Sequence, residues 1–130
     1  AAHHVSEWSG IPFVGLRLSN IHTVEDYAAV PGYHHDAALR RWNLWGYVDV
    51  RDVATAFRLG VESDSTGSQN VVVAAGDTIM DTPSGELLAR EFPGVRLTRE
   101  IDTFETLLAI DGARELLGYH PAHSWRHHVG

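Results

Sequence analysis

The chain has 130 residues, of which 44% are hydrophobic and 21% charged, the composition of one ordinary globular domain. Its 10 basic and 17 acidic side chains give a net charge of −7, which argues against nucleic acid or an anionic membrane as a partner. Cysteine is absent, no signal-peptide pattern occurs and no apolar run reaches the ~20 residues of a membrane span, so we expect a cytoplasmic protein.

The first ten residues have the pattern of a helix end. Ala1, Ala2, Val5 and Trp8 recur at helical spacing, and Gly10 is a suitable stop. Because no capping residue precedes them, we expect these to be the last turns of a helix that begins upstream.

A dense apolar run, IPFVGLRLSNI at 11–21, predicts a strand buried on both faces, as in a parallel sheet. Residues 22–43 predict an irregular excursion with helical turns, broken at Pro31-Gly32 and followed by a short helical pattern from Ala37 to Trp42.

The stretch LWGYVDVRDVATAF at 44–57 places charged residues at the junction of two apolar elements. Alternation around Val48 and Val50 predicts a short strand, and Asp52 is the expected N-cap of the following helix. Asp49 and Arg51 form a mutual pair in one interpretation, whereas in the other one of them faces a substrate cleft. The predicted buried helix face contains Val53, Ala56, Phe57, Gly60 and Val61.

The rest of the chain continues the alternation of strands and helices. Residues 70–76 predict a second buried strand, 95–100 a half-exposed strand and 103–110 a helical segment. Thr82 is the expected cap of a helix that ends at Pro93-Gly94, and Asp111 is that of a helix closed by Gly118. The predicted fold class is therefore α/β.

Residue patterns alone predict no reaction. The nine histidines include adjacent pairs, which point about 100° apart on a helix, and no zinc-type spacing occurs in a motif context, so no metal site is expected. Glycine-rich phosphate loops and the G-x-S-x-G elbow are also missing from the sequence.

Five segments in order resemble the C-terminal half of the extended short-chain dehydrogenases/reductases, the NAD-dependent epimerase/dehydratase family. They are GIPFVGLRLSN, YVDVRDVATAF, QNVVVAAGDT, PSGELLAREFPGV and DGARELLGYHPAHSWR. The resemblance implies the C-terminal portion of a Rossmann-like NAD(P)-binding fold with a small substrate-binding subdomain. Residues 1–22 and 44–80 would belong to the core, and residues 23–43 and 81–130 to the substrate-binding lobe.

The resemblance also implies which parts of the reaction lie elsewhere. The family's catalytic Ser/Thr, Tyr and Lys, and its glycine-rich loop, would precede Ala1, so no catalytic residue is assigned in this chain. The intact protein would use NAD or NADP, and we expect the chain alone neither to bind the cofactor nor to be active.

The residues that the resemblance assigns to a site surround the end of the first strand. Asn20 matches the family's asparagine at the rim of the nicotinamide and substrate pocket, although a polar residue that merely ends a strand is the alternative. Leu18 and Ser19 would contact the cofactor. The other predicted substrate-binding residues are His22, Arg40, Arg41, Trp45 and Arg51.

One departure from the family leaves the substrate open. Where many nucleotide-sugar enzymes have a diphosphate-binding Arg, this chain has Trp45, although Arg40 and Arg41 upstream could substitute. We expect a small sugar-like molecule, with or without a nucleotide. The alternative function is a non-catalytic ligand-binding or protein-interaction module, and in either case exposed apolar faces predict a homodimer or higher self-association.

Overall fold

The computed structural model describes residues 9–128 as a mixed α/β chain. The strands are β1 (Phe13–Leu18), β2 (Ile21–His22), β3 (Val48–Asp49) and β4 (Ser68–Val73), and the α-helices are α1 (Val50–Glu62), α2 (Ser84–Glu91) and α3 (Asp111–Leu117). Short 3-10 segments are Glu25–Tyr33, Ala37–Asn43 and Trp125–His127. The predicted helix end at residues 1–8 lies outside the described residues.

Two parallel strand pairs organise the fold. β1 pairs with β4 in the register Phe13↔Ser68 to Leu18↔Val73, and β2 pairs with β3. Parallel pairing requires a long crossover, which residues 19–67 supply. The prediction of a β1 strand is confirmed, but β1 is half-buried instead of buried on both faces, and Arg17 is exposed.

Helix α1 begins at the end of β3 because Asp49 caps it. The Asp49 side chain accepts a hydrogen bond from the Arg51 backbone N–H at 2.8 Å, so the predicted cap, Asp52, was wrong by three positions. Val53 and Ala56 are buried as predicted, whereas Phe57 is 54% and Val61 87% exposed. The helix therefore buries a narrower face than the sequence pattern suggested.

The core consists of two clusters that meet along the sheet. One surrounds Trp45 and Tyr47 and includes Tyr27, Ile79, Met80, Leu87 and Trp125. The other joins α1, β4 and α3 through Val48, Val53, Ala56, Val71, Val73, Ala113 and Leu117. Together they fix the crossover segment and the final segment against the strands.

Several sequence predictions differ from the structure in the second half of the chain. Residues 95–100 are irregular with a bend at 98–99 instead of a strand, and residues 103–110 contain a turn, an isolated bridge and a bend instead of a helix. Helix α2 has Pro83 at its N-cap with no side-chain cap bond, so Thr82 does not cap it. Asp111 is the first residue of α3, not its cap, whereas Gly118 closes that helix with φ 71° as predicted.

Two further boundaries differ from the prediction. The 3-10 segment Glu25–Tyr33 continues through Pro31, so Pro31-Gly32 is no break. Strand β4 starts two residues before residue 70 and ends at Val73, since Ala74 and Ala75 have left the sheet ladder. Among residues 9–128, no helix is both long enough and apolar enough to cross a membrane.

Candidate functional site

The turn between β1 and β2 lies at the carboxyl ends of the paired strands β1 and β4, the edge where ligands commonly bind in open α/β sheets. Neighbouring strands hold its backbone in place. The Ser19 N–H donates to the Val73 carbonyl at 3.1 Å, and the Val48 N–H donates to the Asn20 carbonyl at 2.8 Å. Ser19 and Asn20 therefore have a fixed backbone between two open regions of the surface.

The first of these regions is a groove of about 370 Å³, which we call the Asn20 groove. Its lining residues come from the β1–β2 turn and from the two 3-10 segments that follow. They are Asn20, Ile21, His22, Asp26, Ala29, Tyr33 and Arg40. The structure thus brings together three of the predicted substrate residues, Asn20, His22 and Arg40.

The second region is a cavity of about 270 Å³ on the other side of the turn, which we call the Leu18 cavity. It is lined by Arg17, Leu18, Ser19, Asn20, Trp42, Asn43, Leu44, Val72 and Leu108. Both predicted cofactor residues, Leu18 and Ser19, line this cavity. Asn20 lines both regions, so the groove and the cavity adjoin each other at this residue.

The backbone beside the Leu18 cavity is strained. Leu44 and Trp45 are consecutive non-glycine residues with left-handed φ angles of 54° and 58°. Such angles are costly for residues with a Cβ and often occur near functional sites. Here the turn is held by the Trp45 N–H, which donates to the Asn43 Oδ1 at 3.1 Å, while the Asn43 Nδ2 is buried without a partner among the described residues.

His22 forms the floor of the Asn20 groove and is only 6% exposed. Its ring stacks on Tyr27 at a centroid distance of 6.1 Å and meets the Tyr47 ring edge-on at 6.0 Å. Burial lowers the pKa of His22 and Arg40 lowers it further, while nearby Asp26 opposes both. The imidazole is therefore neutral at pH 7 and offers one donor and one acceptor.

Arg40 and Asp26 give the groove one charge of each sign. The Arg40 guanidinium lies 4.3 Å from the centroid of the Tyr33 ring, and within residues 9–128 it forms no ion pair. The Asp26 carboxylate accepts hydrogen bonds from the Thr23 N–H and hydroxyl at 2.8 and 3.1 Å. These bonds lower the pKa of Asp26, which therefore stays ionised.

The charged residues at the start of α1 form a pair between buried Asp49 and exposed Arg51. Arg51 donates from Nε and Nη2 to the two Asp49 oxygens at 2.9 and 2.8 Å, and the Tyr27 hydroxyl donates to Asp49 at 2.7 Å. Burial raises the pKa of Asp49, but these bonds more than reverse the effect and hold it well below the usual range. Of the two interpretations of Asp49 and Arg51, the structure therefore has the mutual pair.

Two other predicted substrate residues line neither region. Trp45 is fully buried in the core, and its indole N–H donates to the Ala37 carbonyl at 2.8 Å. Arg41 points away to Glu91, with which it pairs at 3.1 Å. Of the two adjacent arginines, Arg40 is the one that reaches the groove.

A larger cavity, of about 780 Å³, lies elsewhere, between residues 97–111 and the His120-Pro121 turn. Both arginines of this cavity already pair with carboxylates of the chain. Arg99 pairs with Glu105 at 2.6 Å, and Arg114 lies 3.6 Å from Asp111. Because these arginines are paired with carboxylates and so are less available to a ligand, this cavity is a weaker candidate site than the two regions at Asn20.

Sequence reasoning missed most of the other lining residues, among them Asp26, Tyr33, Asn43 and Leu108. Asp26 had a local signal, because Thr23 and Asp26 have the spacing of a reciprocal cap. The other three had none, since they reach the site only through the crossover and the late irregular segment.

No protein-family model, no curated protein and no solved structure matches this chain. In the part of the chain that the structure describes, no three His, Asp or Glu side chains are grouped to hold a metal ion. The interpretation of the site therefore depends on its own geometry and on the sequence resemblance.

Proposed function

We propose that the chain is the substrate-binding C-terminal part of an NAD(P)-dependent oxidoreductase of the epimerase/dehydratase type. Its substrate would be a sugar or a related hydroxyl or carbonyl compound. The observation that carries this proposal is the contact of two open regions at Asn20: a mainly apolar cavity on the Leu18 side and a charged groove on the His22 side. Hydride transfer requires two ligands side by side, and this arrangement offers one region for each.

The residues of the Leu18 cavity fit a nicotinamide ring. Leu18, Leu44 and Leu108 provide apolar walls, while the Ser19 hydroxyl and the unpartnered Asn43 Nδ2 provide polar groups for a carboxamide. The bound cofactor would supply hydride exchange with the substrate carbon.

The chain's own residues would bind and orient the substrate. The Asn20 amide has two donors and an acceptor for hydroxyl groups, and neutral His22 adds a further donor or acceptor at the groove floor. Arg40 would neutralise an anionic group at the groove's other wall. These interactions hold the substrate beside the cofactor cavity without carrying out proton transfer.

The acid–base chemistry would come from polypeptide that precedes these residues. All ten basic residues of the chain are arginine, so the sequence contains no lysine and cannot supply a Tyr-x-x-x-Lys pair. We therefore expect the 130-residue chain alone to reduce no cofactor.

The complete reading frame that contains this sequence tests the proposal. A glycine-rich strand-to-helix turn and a Tyr-x-x-x-Lys helix upstream would support it. A reading frame with neither motif contradicts it, and so does turnover by the isolated chain.

A second candidate function is a protein-interaction module, and the surface of α1 favours it. Val50, Ala54, Phe57 and Val61 form an apolar stripe along one face of the helix, and all four are exposed. An apolar stripe of this kind is typical of a face that packs against another protein surface. A self-associating form of the chain would be consistent with either function.

A further inference from the structure

The Asn20 groove contains a cation that forms no ion pair within residues 9–128. Seven of the other arginines lie within 3.6 Å of a carboxylate, whereas the Arg40 guanidinium rests on the Tyr33 ring. The aromatic ring holds the guanidinium plane without using its N–H groups. A planar fork held in this way is suited to bidentate binding of a carboxylate or a phosphate.

Asp26 limits how much negative charge the groove accepts. It lines the groove with Arg40, and its carboxylate is fixed by Thr23 at the start of the 3-10 segment Glu25–Tyr33. A second anionic group on the ligand would meet this carboxylate and be repelled, whereas a ligand hydroxyl would donate a hydrogen bond to it. The groove therefore discriminates a single anion with hydroxyl groups from a diphosphate.

The dimensions of the groove agree with a compact ligand. Its volume of about 370 Å³ lies at the low end of small-molecule sites, which span roughly 300–1,000 Å³. Its lining includes two charged side chains, Arg40 and Asp26, and two neutral polar ones, His22 and Asn20.

We propose that the Asn20 groove binds a monosaccharide-sized hydroxylated molecule that carries one anionic group, with Arg40 as the anion-binding residue. This inference specifies the substrate class of the proposed function and rests on the groove being its substrate side. A carboxylate and a phosphate share the required chemistry.

Calorimetric titration of the protein expressed from its complete reading frame tests the inference. The ligands are glucuronate, glucose 6-phosphate, neutral glucose and a uridine diphosphate sugar. We expect glucuronate or glucose 6-phosphate, whichever anion the groove prefers, to bind at least about tenfold more tightly than glucose. Equal binding of glucose, absence of binding by both acids, or tightest binding of the diphosphate sugar each overturns the inference.

Adjacent arginines provide matched variants. Arg40→Gln should remove the preference for the anionic sugar over glucose. Arg40→Lys should keep only part of that preference, because lysine retains the charge but lacks the planar guanidinium that binds an anion with two hydrogen bonds. Arg41→Gln, which removes the neighbouring cation that pairs with Glu91, should leave the preference unchanged. If Arg40→Gln fails to fold by circular dichroism, the Arg40→Lys result decides, and an unchanged preference there overturns the inference.

Asp26→Asn tests the charge limit separately. We expect this variant to bind the diphosphate sugar more tightly than the original protein does, since the repelling carboxylate is gone, and an unchanged or weaker affinity contradicts the role of Asp26. Acid binding that depends on Arg40, with no cofactor-dependent conversion of any sugar, would retain the inference and reject the oxidoreductase proposal. Cofactor-dependent conversion of neutral sugars that Arg40→Gln leaves unchanged would reject the inference and retain the oxidoreductase proposal.

Discussion

The Asp52 carboxylate ties the segment at His123 to the first turn of α1. The backbone N–H groups of Ala122 and His123 each donate to it at 3.1 Å, and His123 Nδ1 lies 2.9 Å from Asp52 Oδ1. Asp52 is almost fully buried, so these contacts satisfy its oxygens where water does not reach. A residue that the sequence suggests as a local cap thus joins positions about 70 residues apart.

Asp52→Ala should destabilise the protein by about 2 kcal/mol, because two partly buried backbone N–H groups lose their charged acceptor. Urea denaturation measures the change as a lower midpoint with an unchanged slope. Glu62→Ala on the same helix removes an exposed carboxylate that pairs with Arg58 at 3.2 Å, and is expected to change stability by less than ~0.5 kcal/mol. Equal effects of the two variants would contradict the anchoring role.

The ion pair of buried Asp49 with Arg51 should make stability depend on pH in acid. The folded pKa of Asp49 is lower than the unfolded value of ~3.9, so its contribution is complete above about pH 5 and is lost progressively as the pH falls. Asp49→Asn removes this titration, and the variant's stability should decline less steeply below about pH 5 than that of the original protein. Unfolding free energies at several pH values check this, and parallel curves would refute it.

Gly46 lies where an added side chain would collide with residues that line the Leu18 cavity. A Cβ added there would meet the Leu108 side chain and lie 2.9 Å from the Ser19 hydroxyl. Gly46→Ala should therefore destabilise the protein by about 1–3 kcal/mol through overpacking. The control is Gly60→Ala in α1, where the added methyl has open space and should stabilise by up to ~1 kcal/mol. Denaturation curves with the opposite order would show that Gly46 is not closely packed.

The apolar stripe of α1 should promote self-association. Phe57→Ser with Val61→Ser should shift the sedimentation profile toward a smaller mass while the circular dichroism spectrum is retained, because both side chains are more than half exposed. Arg58→Ser, on the same helix but off the stripe, serves as the control. An identical mass for all three proteins would exclude this face as the contact.

Local patterns predicted the fold where one element decides its own structure. The β1 strand, helix α1 and the Gly118 helix end all follow from residues within one turn or strand. Prediction failed where tertiary contacts decide. Asp49 caps α1 instead of Asp52 because Tyr27 and Arg51 complete the hydrogen bonds of the Asp49 carboxylate. The Asp52 carboxylate instead contacts His123.

The candidate site was partly predictable for the same reason. Leu18, Ser19 and Asn20 share one turn, so a sequence motif identifies them together. The partners of that turn come from the crossover, where sequence offers no means of choosing Arg40 over Arg41 or of recognising Tyr33 as its platform. Residues 95–110 were wrongly assigned because backbone contacts such as the Thr78 N–H to the Phe104 carbonyl replace regular structure.

The central claim is that these residues bind the substrate of a nicotinamide-dependent enzyme whose acid–base groups lie outside this chain. The most direct measurement follows reduced nicotinamide by absorbance and conversion of the sugar by NMR, with NAD⁺ or NADP⁺ and a panel of sugars and sugar acids, for the product of the complete reading frame and for the 130-residue chain. The account predicts that the former reduces the cofactor or converts a sugar in a cofactor-dependent way, and that the latter does neither. Either activity in the isolated chain, or neither activity in both proteins with every member of the panel, would contradict it.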